Sequence, residues 1–219
     1  MKFRIITLFP KMFDGMLSES MLYKAQKKGL VKIELVNLRD FGIGKRKTVD
    51  DTPYGGGPGM IIRADVVDCA LQKIKMQKSK CKIILLTPRG KIYNQKIARR
   101  LSKLDEIVLI CGHYEGVDER VKDLVDEEIS IGEYVLTGGE PAATVIVDSV
   151  ARLIPGVLGD ENSAKDESYS KGKNLEYPQY TRPFEFKAKK VPKILLSGNH
   201  QKIAEWRKNK TGKPRAVDR

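Results

Sequence analysis

Four consecutive apolar residues, Ile107-Val108-Leu109-Ile110, run directly into Cys111-Gly112-His113-Tyr114-Glu115-Gly116-Val117-Asp118-Glu119-Arg120. An unbroken apolar run of this length, closed by glycine, marks a strand covered on both faces, and such strands belong to parallel sheets. The neighbouring segments agree. Residues 3–8 form an apolar strand stopped by Pro10, and 31–38 alternate as a strand with Val31, Ile33 and Leu35 on one face. Further strands are expected at 83–86 and 127–130. Helical spacing appears over 13–28 (Phe13, Met16, Leu17 and Met21, closed by Gly29), 64–76, 94–104 and 141–154, the last with proline near its start. Strands alternating with helices predict an α/β fold on a mostly parallel sheet.

At 219 residues the chain can bury a sizeable core. Charge divides it. Lys and Arg number 41 against 28 Asp and Glu, a net charge of +13. Residues 1–100 hold 22 basic and 8 acidic side chains, 101–150 hold 3 and 12, and 151–219 hold 16 and 8. Two basic blocks around an acidic middle suit a polyanionic partner gripped from outside, with carboxylates kept near interior chemistry. Three cysteines without CxxC spacing and two histidines argue against a disulfide framework or a zinc site. The chain starts without a signal peptide and has no run of 18 apolar residues, so it reads as a cytoplasmic protein with no membrane contact.

Residues 160–173 turn polar and read as a linker between a domain at 1–159 and a small basic domain at 174–219. Asn199 is placed to cap a helix through Trp206, and residues 210–219 look frayed. Loops that leave parallel strands emerge at one sheet edge, where ligands of such sheets bind. Three should therefore converge: Thr87-Pro88-Arg89-Gly90, the turn at 111–116, and Ile131-Gly132-Glu133-Tyr134-Val135-Leu136-Thr137-Gly138-Gly139. Each carries glycine, which lets a ligand approach the main chain. Neither GxxxxGK[ST] nor a GxGxxG opening a helix after a strand is present, which argues against a P-loop NTPase or an ordinary dinucleotide enzyme. Tyr54-Gly55-Gly56-Gly57-Pro58-Gly59 suits an anion-binding nest or a lid. Arg152, among Val150, Ala151, Leu153 and Ile154, is either a snorkelling surface residue or a fixed donor toward developing negative charge. The linker acids Glu161, Asp166 and Glu167 are by default solvated.

Taken together, these segments resemble the bacterial tRNA (guanine-N1)-methyltransferases of the knotted SPOUT type. The matching residues are Ile6-Thr7-Leu8-Phe9-Pro10, Arg39-Asp40-Phe41, Thr48-Val49-Asp50-Asp51, Pro53-Tyr54-Gly55-Gly56-Gly57-Pro58-Gly59-Met60 and both glycine-and-acid clusters. Further on come Asp148-Ser149-Val150, Arg152, Ile154-Pro155-Gly156-Val157-Leu158-Gly159, Tyr180-Thr181-Arg182-Pro183 and Leu195-Leu196-Ser197-Gly198-Asn199-His200. The resemblance implies a deep trefoil knot, which the general avoidance of threaded loops would have rejected. It also implies a small helical C-terminal domain and a homodimer with the active site at the interface. S-adenosylmethionine is the implied methyl donor, with magnesium admitted, and guanosine 37 in the tRNA anticodon stem-loop the implied target.

By the same likeness, the donor-binding residues are Leu86, Thr87, Pro88, Gly90, Gly112, Tyr114, Glu115, Gly116, Ile131, Gly132, Glu133, Tyr134, Val135, Leu136, Gly138 and Gly139. The catalytic ones are Arg152 as cationic donor and Glu167 as base, with Asp166 the neighbouring candidate. Three departures stand out. The linker reads Asp166-Glu167-Ser168 where the family has Glu-Asp-Ser. Gly138-Gly139-Glu140-Pro141-Ala142-Ala143 has its proline one place early, and the segment after Trp206-Arg207 is short. A related methyltransferase acting on another RNA, or an RNA-binding relative without turnover, are the alternatives.

Overall fold

The computed structural model describes residues 1–74, 80–159, 167–170, 172 and 174–212. They fall into two compact units, Met1–Gly159 and Asp160–Arg219. In chain order the first unit runs β1 (Lys2–Thr7), α1 (Asp14–Ser18), α2 (Ser20–Lys27), β2 (Lys32–Asn37), the two-residue strands β3 (Asp50–Asp51) and β4 (Ile61–Ile62), and α3 (Ala64–Lys73). It continues with β5 (Cys81–Ile92), α4 (Gln95–Leu101), β6 (Glu106–Cys111), β7 (Glu127–Ser130) and α5 (Glu140–Ala151). Five strands form one parallel sheet in the order β2-β1-β6-β5-β7.

β6 lies at the centre, and all six of its residues are buried. Its side chains alternate between two cores, as the pleat requires. Ile107 and Leu109 join Phe3, Ile5 and Ile84 under Ala143, Ile146, Val147 and Val150 of α5. Val108 and Ile110 join Ile6 and Leu85 against Val66, Val67 and Ala70 of α3. Covering both faces is what demanded the unbroken apolar run from Ile107 to Ile110.

Local chemistry explains where the elements depart from simple periodicity. The helical spacing over 13–28 breaks into two helices at Glu19, whose backbone is extended. Ser18 helps end the first by donating its hydroxyl back to Gly15 O. α4 starts at Asn94, whose side chain accepts from the Lys96 and Ile97 amides. The strand expected at 83–86 extends to Ile92, so residues 87–90 are not a loop at its end but an interruption within it.

The second unit carries the antiparallel pair β8 (Glu185–Phe186) and β9 (Lys189–Lys190) and the helix α6 (His200–Lys210). Asn199 caps α6 by accepting from the Lys202 amide, and the Arg207 guanidinium lies 4.9 Å from the Tyr177 ring centroid. Among the described residues of this unit, α6 is the one α-helix, beside the short hairpin and a 3-10 turn at Lys193–Leu196. Residues 160–166 and 213–219, which include part of the expected linker and most of the expected frayed end, lie outside the described residues.

One buried ion cluster ties three strands together. On β1, the Arg4 Nη1 lies 3.1 Å from Glu106 Oε1 on β6, and Lys2 Nζ lies 2.9 Å from Glu34 Oε2 on β2. Arg4 and Glu106 are 8% and 3% exposed, so neither relies on water for compensation. Removing one partner strands the other. Glu106→Ala should lower the unfolding free energy by about 3 kcal/mol, the low end for a broken buried pair, because Glu34 remains 3.5 Å from Arg4 Nε. Urea denaturation measures it, and a loss under about 1 kcal/mol would class the pair with surface bridges.

Candidate functional site

The carboxyl ends of β6, β5 and β7 are neighbours in the sheet, and three glycine-bearing segments meet there. The first is the interruption in β5. Leu86 pairs with Ile129 of β7, the chain loops out, and Lys91 pairs with the same Ile129. To return so tightly it must press on the β7 main chain, and a Cβ on Gly90 would overlap the Ile129 amide nitrogen. The second segment is the turn after β6. It closes through the Gly116 amide donating to His113 O at 3.0 Å, with Tyr114 at φ 59° and Gly116 at φ 125°. A tyrosine in the left-handed region is a strained residue held by its surroundings.

The third segment returns to the tip of β6. Gly139 N donates to Gly112 O at 2.8 Å, and His113 and Gly138 form an antiparallel bridge. A Cβ on Gly139 would stand 2.8 Å from Cys111 Cα, so only glycine permits this approach.

Between these segments opens a cleft of about 1750 Å³. Leu86, Thr87, Pro88, Gly112, Tyr114, Glu115, Gly116, Ile131, Gly132, Tyr134, Val135, Leu136, Gly138 and Gly139 all line it. Two of the expected residues do not. Gly90 is spent on the packing against β7, and Glu133 is exposed outside the cleft. His113 lines it as well, although nothing in its sequence context marked it as more than a turn residue.

Residues 53–60 supply a wall that sequence patterning left undefined. Gly55, Gly56, Gly57 and Gly59 all have positive φ, with Tyr54 fully exposed at the tip. The strand that follows is strapped along the β6 turn. Glu115 N donates to Met60 O, Ile62 N to Gly116 O, and Asp118 N to Ile62 O. A Cβ on Gly59 would overlap the Glu115 side chain, so that loop rests directly on a cleft residue.

Four acids of the middle segment are matched by cations near the surface, not held in the interior as their sequence clustering suggested. Asp118 pairs with Arg120, Glu119 with Arg89 and Lys122, Asp126 with Lys82, and Glu127 with Arg100. The Arg120 hydrogen bond pulls the Asp118 carboxyl down to about 2. Glu106 and Glu140 are the exceptions, being 3% and 2% exposed.

The proposed catalytic residues divide between the units. Arg152 closes α5 in the first unit, is half-buried, and does not line the cleft. Glu167 is half-buried in a turn of the second unit, its carbonyl accepting from the Ser170 amide at 2.9 Å. Asp166 and Glu161 lie outside the described residues.

Two outcomes test this geometry. Gly90→Ala should cost about 1–3 kcal/mol by overpacking and accelerate amide exchange at Lys91 and Ile92, where the strand rejoins β7. Unchanged exchange would show that the bulge is not held by that contact. Asp118 has a folded-state value below its unfolded one, so its contribution is present above about pH 4 and is lost as pH falls through about 2. Stability curves of wild type and Asp118→Asn should accordingly differ near neutrality and merge toward that acid limit.

A family model described as tRNA (Guanine-1)-methyltransferase TrmD matches residues 1–219. A Geobacillus kaustophilus (strain HTA426) protein named tRNA (guanine-N(1)-)-methyltransferase is 57% identical over 212 residues, covering 96% of this chain and 86% of its own. Proteins of the same name from Geobacter sp. (strain M21) and Dictyoglomus turgidum (strain DSM 6724 / Z-1310) are 54% and 56% identical, over 95% and 93% of this chain and 84% and 82% of theirs. With the family model matching residues 1–219, the parallel-sheet cleft included, the chain belongs to the tRNA (Guanine-1)-methyltransferase TrmD family.

Proposed function

We propose that the protein transfers a methyl group from S-adenosylmethionine to N1 of guanosine 37 in tRNA. The observation that carries this reading is the convergence of three loops on one cleft in a chain of this family. The residues suit such a donor. Leu86, Ile131 and Leu136 offer apolar surface for a purine, and Gly116, with open space at its α-carbon, keeps the main chain bare where a ligand must come close. When bound, S-adenosylmethionine brings a sulfonium-activated methyl, so no enzyme nucleophile is required. Among the described residues no group of three or more His, Cys, Asp or Glu is placed to hold a metal ion, and no step is routed through magnesium.

N1 of guanine carries a proton, and its lone pair is unavailable until a base removes it. In this reading Glu167 takes that proton, with Asp166 beside it as the second acid. Negative charge then spreads toward O6, where the Arg152 guanidinium stabilises it. The base leaves its stack to reach the pocket. The lysine-rich surface and the second unit hold the anticodon stem through phosphates. The position of Arg152 outside the single-chain cleft supports a homodimer whose active site is completed across the interface. The sheet with its returning 131–139 segment supports the deep trefoil knot of SPOUT enzymes. No described helix is long and apolar enough to cross a membrane, and the work of the protein is assigned to the cytoplasm.

Nucleoside mass analysis decides the reaction. Incubation with S-adenosylmethionine should form N1-methylguanosine on a guanosine-37 transcript and nothing on the adenosine-37 version. Transfer only to another RNA, or binding of both ligands without transfer, would replace this reading with one of its alternatives. Arg152→Ala should lower turnover about 10²–10³-fold while donor affinity stays close to wild type. Glu167→Gln should do likewise. Near-normal turnover in Glu167→Gln together with a dead Asp166→Asn would move the base by one residue.

A further inference from the structure

Beneath the cleft the structure buries a polar chain that the reaction just described does not use. The Thr7 hydroxyl, fully buried at the end of β1, accepts the Phe9 amide at 2.9 Å and donates to Glu140 Oε1 at 2.6 Å. The hydroxyl proton is thereby committed to the carboxyl. The other oxygen, Glu140 Oε2, is buried without a hydrogen-bond partner. So is Nδ1 of His113, 3.8 Å away. Two orphaned polar atoms facing each other in a buried site would each carry a desolvation penalty, whereas a single proton between them satisfies both.

The surroundings decide where that proton resides. Glu140 is the first residue of α5, where the helix dipole favours a negative carboxylate, and the capping residue Gly139 has no side chain to compete. Burial raises the Cys111 thiol well above its ordinary range, and the Glu140 charge adds to it. The His113 ring packs against Phe9, with centroids 4.6 Å apart, and lies perpendicular to the Tyr114 ring at 5.0 Å. Gly138 leaves the space open, since a Cβ there would overlap both Glu140 Oε2 and His113 Nδ1.

We propose that Glu140 is a positioning residue that holds a proton on Nδ1 of His113, pinning the ring and with it the main chain of residues 112–114 that receives the methyl donor. The 3.8 Å gap closes to about 3 Å by a small side-chain rotation, and Nε2 of the neutral ring is left as an acceptor. The donor-binding half of this inference rests on the reading of the cleft given above, while the proton assignment does not.

The chain has only two histidines, so His200→Asn leaves a single imidazole to observe. Long-range proton–nitrogen correlation on ¹⁵N-histidine protein, at about pH 8 and above the ordinary histidine range, should show Nδ1 protonated. A ring carrying its proton on Nε2 alone overturns the proposal and leaves the cleft reading untouched. Calorimetry on Glu140→Gln should then show S-adenosylmethionine binding weakened about tenfold, the worth of one charge-assisted hydrogen bond, with turnover at saturating donor close to wild type. Wild-type affinity in a folded Glu140→Gln also overturns it. If that variant does not fold, Gly138→Ala, which wedges the pair apart, must weaken binding in the same way. A wild-type protein that binds no S-adenosylmethionine refutes the function reading instead, and the spectrum still decides the Nδ1 assignment.

Discussion

At the carboxyl end of β6, two stretches of main chain lie closer than any side chain at residue 139 allows. Gly139 donates to the Gly112 carbonyl, and its α-carbon faces Cys111 with no room for a methyl group. The approach requires that β6 end in a rigid position, which its complete burial between α5 and α3 provides. It requires also that the segment after β7 come back across the sheet edge instead of leaving it. Once those two conditions are met, the turn at 112–116 and the segment at 131–139 are locked as facing walls. The cleft between them is then a consequence of main-chain packing, and side chains such as Leu136 and Tyr114 only decorate it.

The electrostatics divide by depth. Near the surface, several acids of the middle segment sit beside a cation, as Asp118 does with Arg120, and such exposed pairs add little to stability. The two deep carboxyls behave differently. Glu106 ties β6 to β1 through Arg4, and Glu140 ties the start of α5 to Thr7 at the end of the same β1 strand. Both ends of β1 are therefore fixed by a buried acid. The strand next to β6 is held in register by directional contacts as well as by apolar packing, which alone tolerates sliding.

The architecture was legible because its signal is periodic. Ile107 to Ile110 announced a two-faced strand, and Asn94 and Asn199 announced the starts of two helices, which the capping bonds to Lys96 and Lys202 bear out. The rim of the cleft was legible for the same reason, since loops after parallel strands have one place to go. What stayed hidden depended on contacts distant in sequence. Gly90 looked like a ligand contact, but its bare α-carbon serves the main chain of Ile129, 39 positions later in the numbering. The strap from Met60 to Glu115 could not be seen because a glycine-rich loop has no periodicity to read. His113 lay inside a quoted motif, yet its role depends on Glu140, and only the tertiary fold brings the two together.

That pairing also bears on why the sheet edge keeps polar atoms beneath the cleft. An apolar residue at 140 would leave the Thr7 hydroxyl and Nδ1 of His113 buried without a partner, so the carboxyl serves stability as well as position. An apolar residue at 140 would leave the His113 ring between Phe9 and Tyr114 with no directional contact, free to rotate about the axis that those aromatic faces permit. A hydrogen bond removes that freedom. Since His113 shares its main chain with the strained Tyr114, fixing the ring also fixes a backbone conformation that the tyrosine would not adopt unaided. The buried acid thus acts on the cleft through geometry, by ordering the loop that lines it.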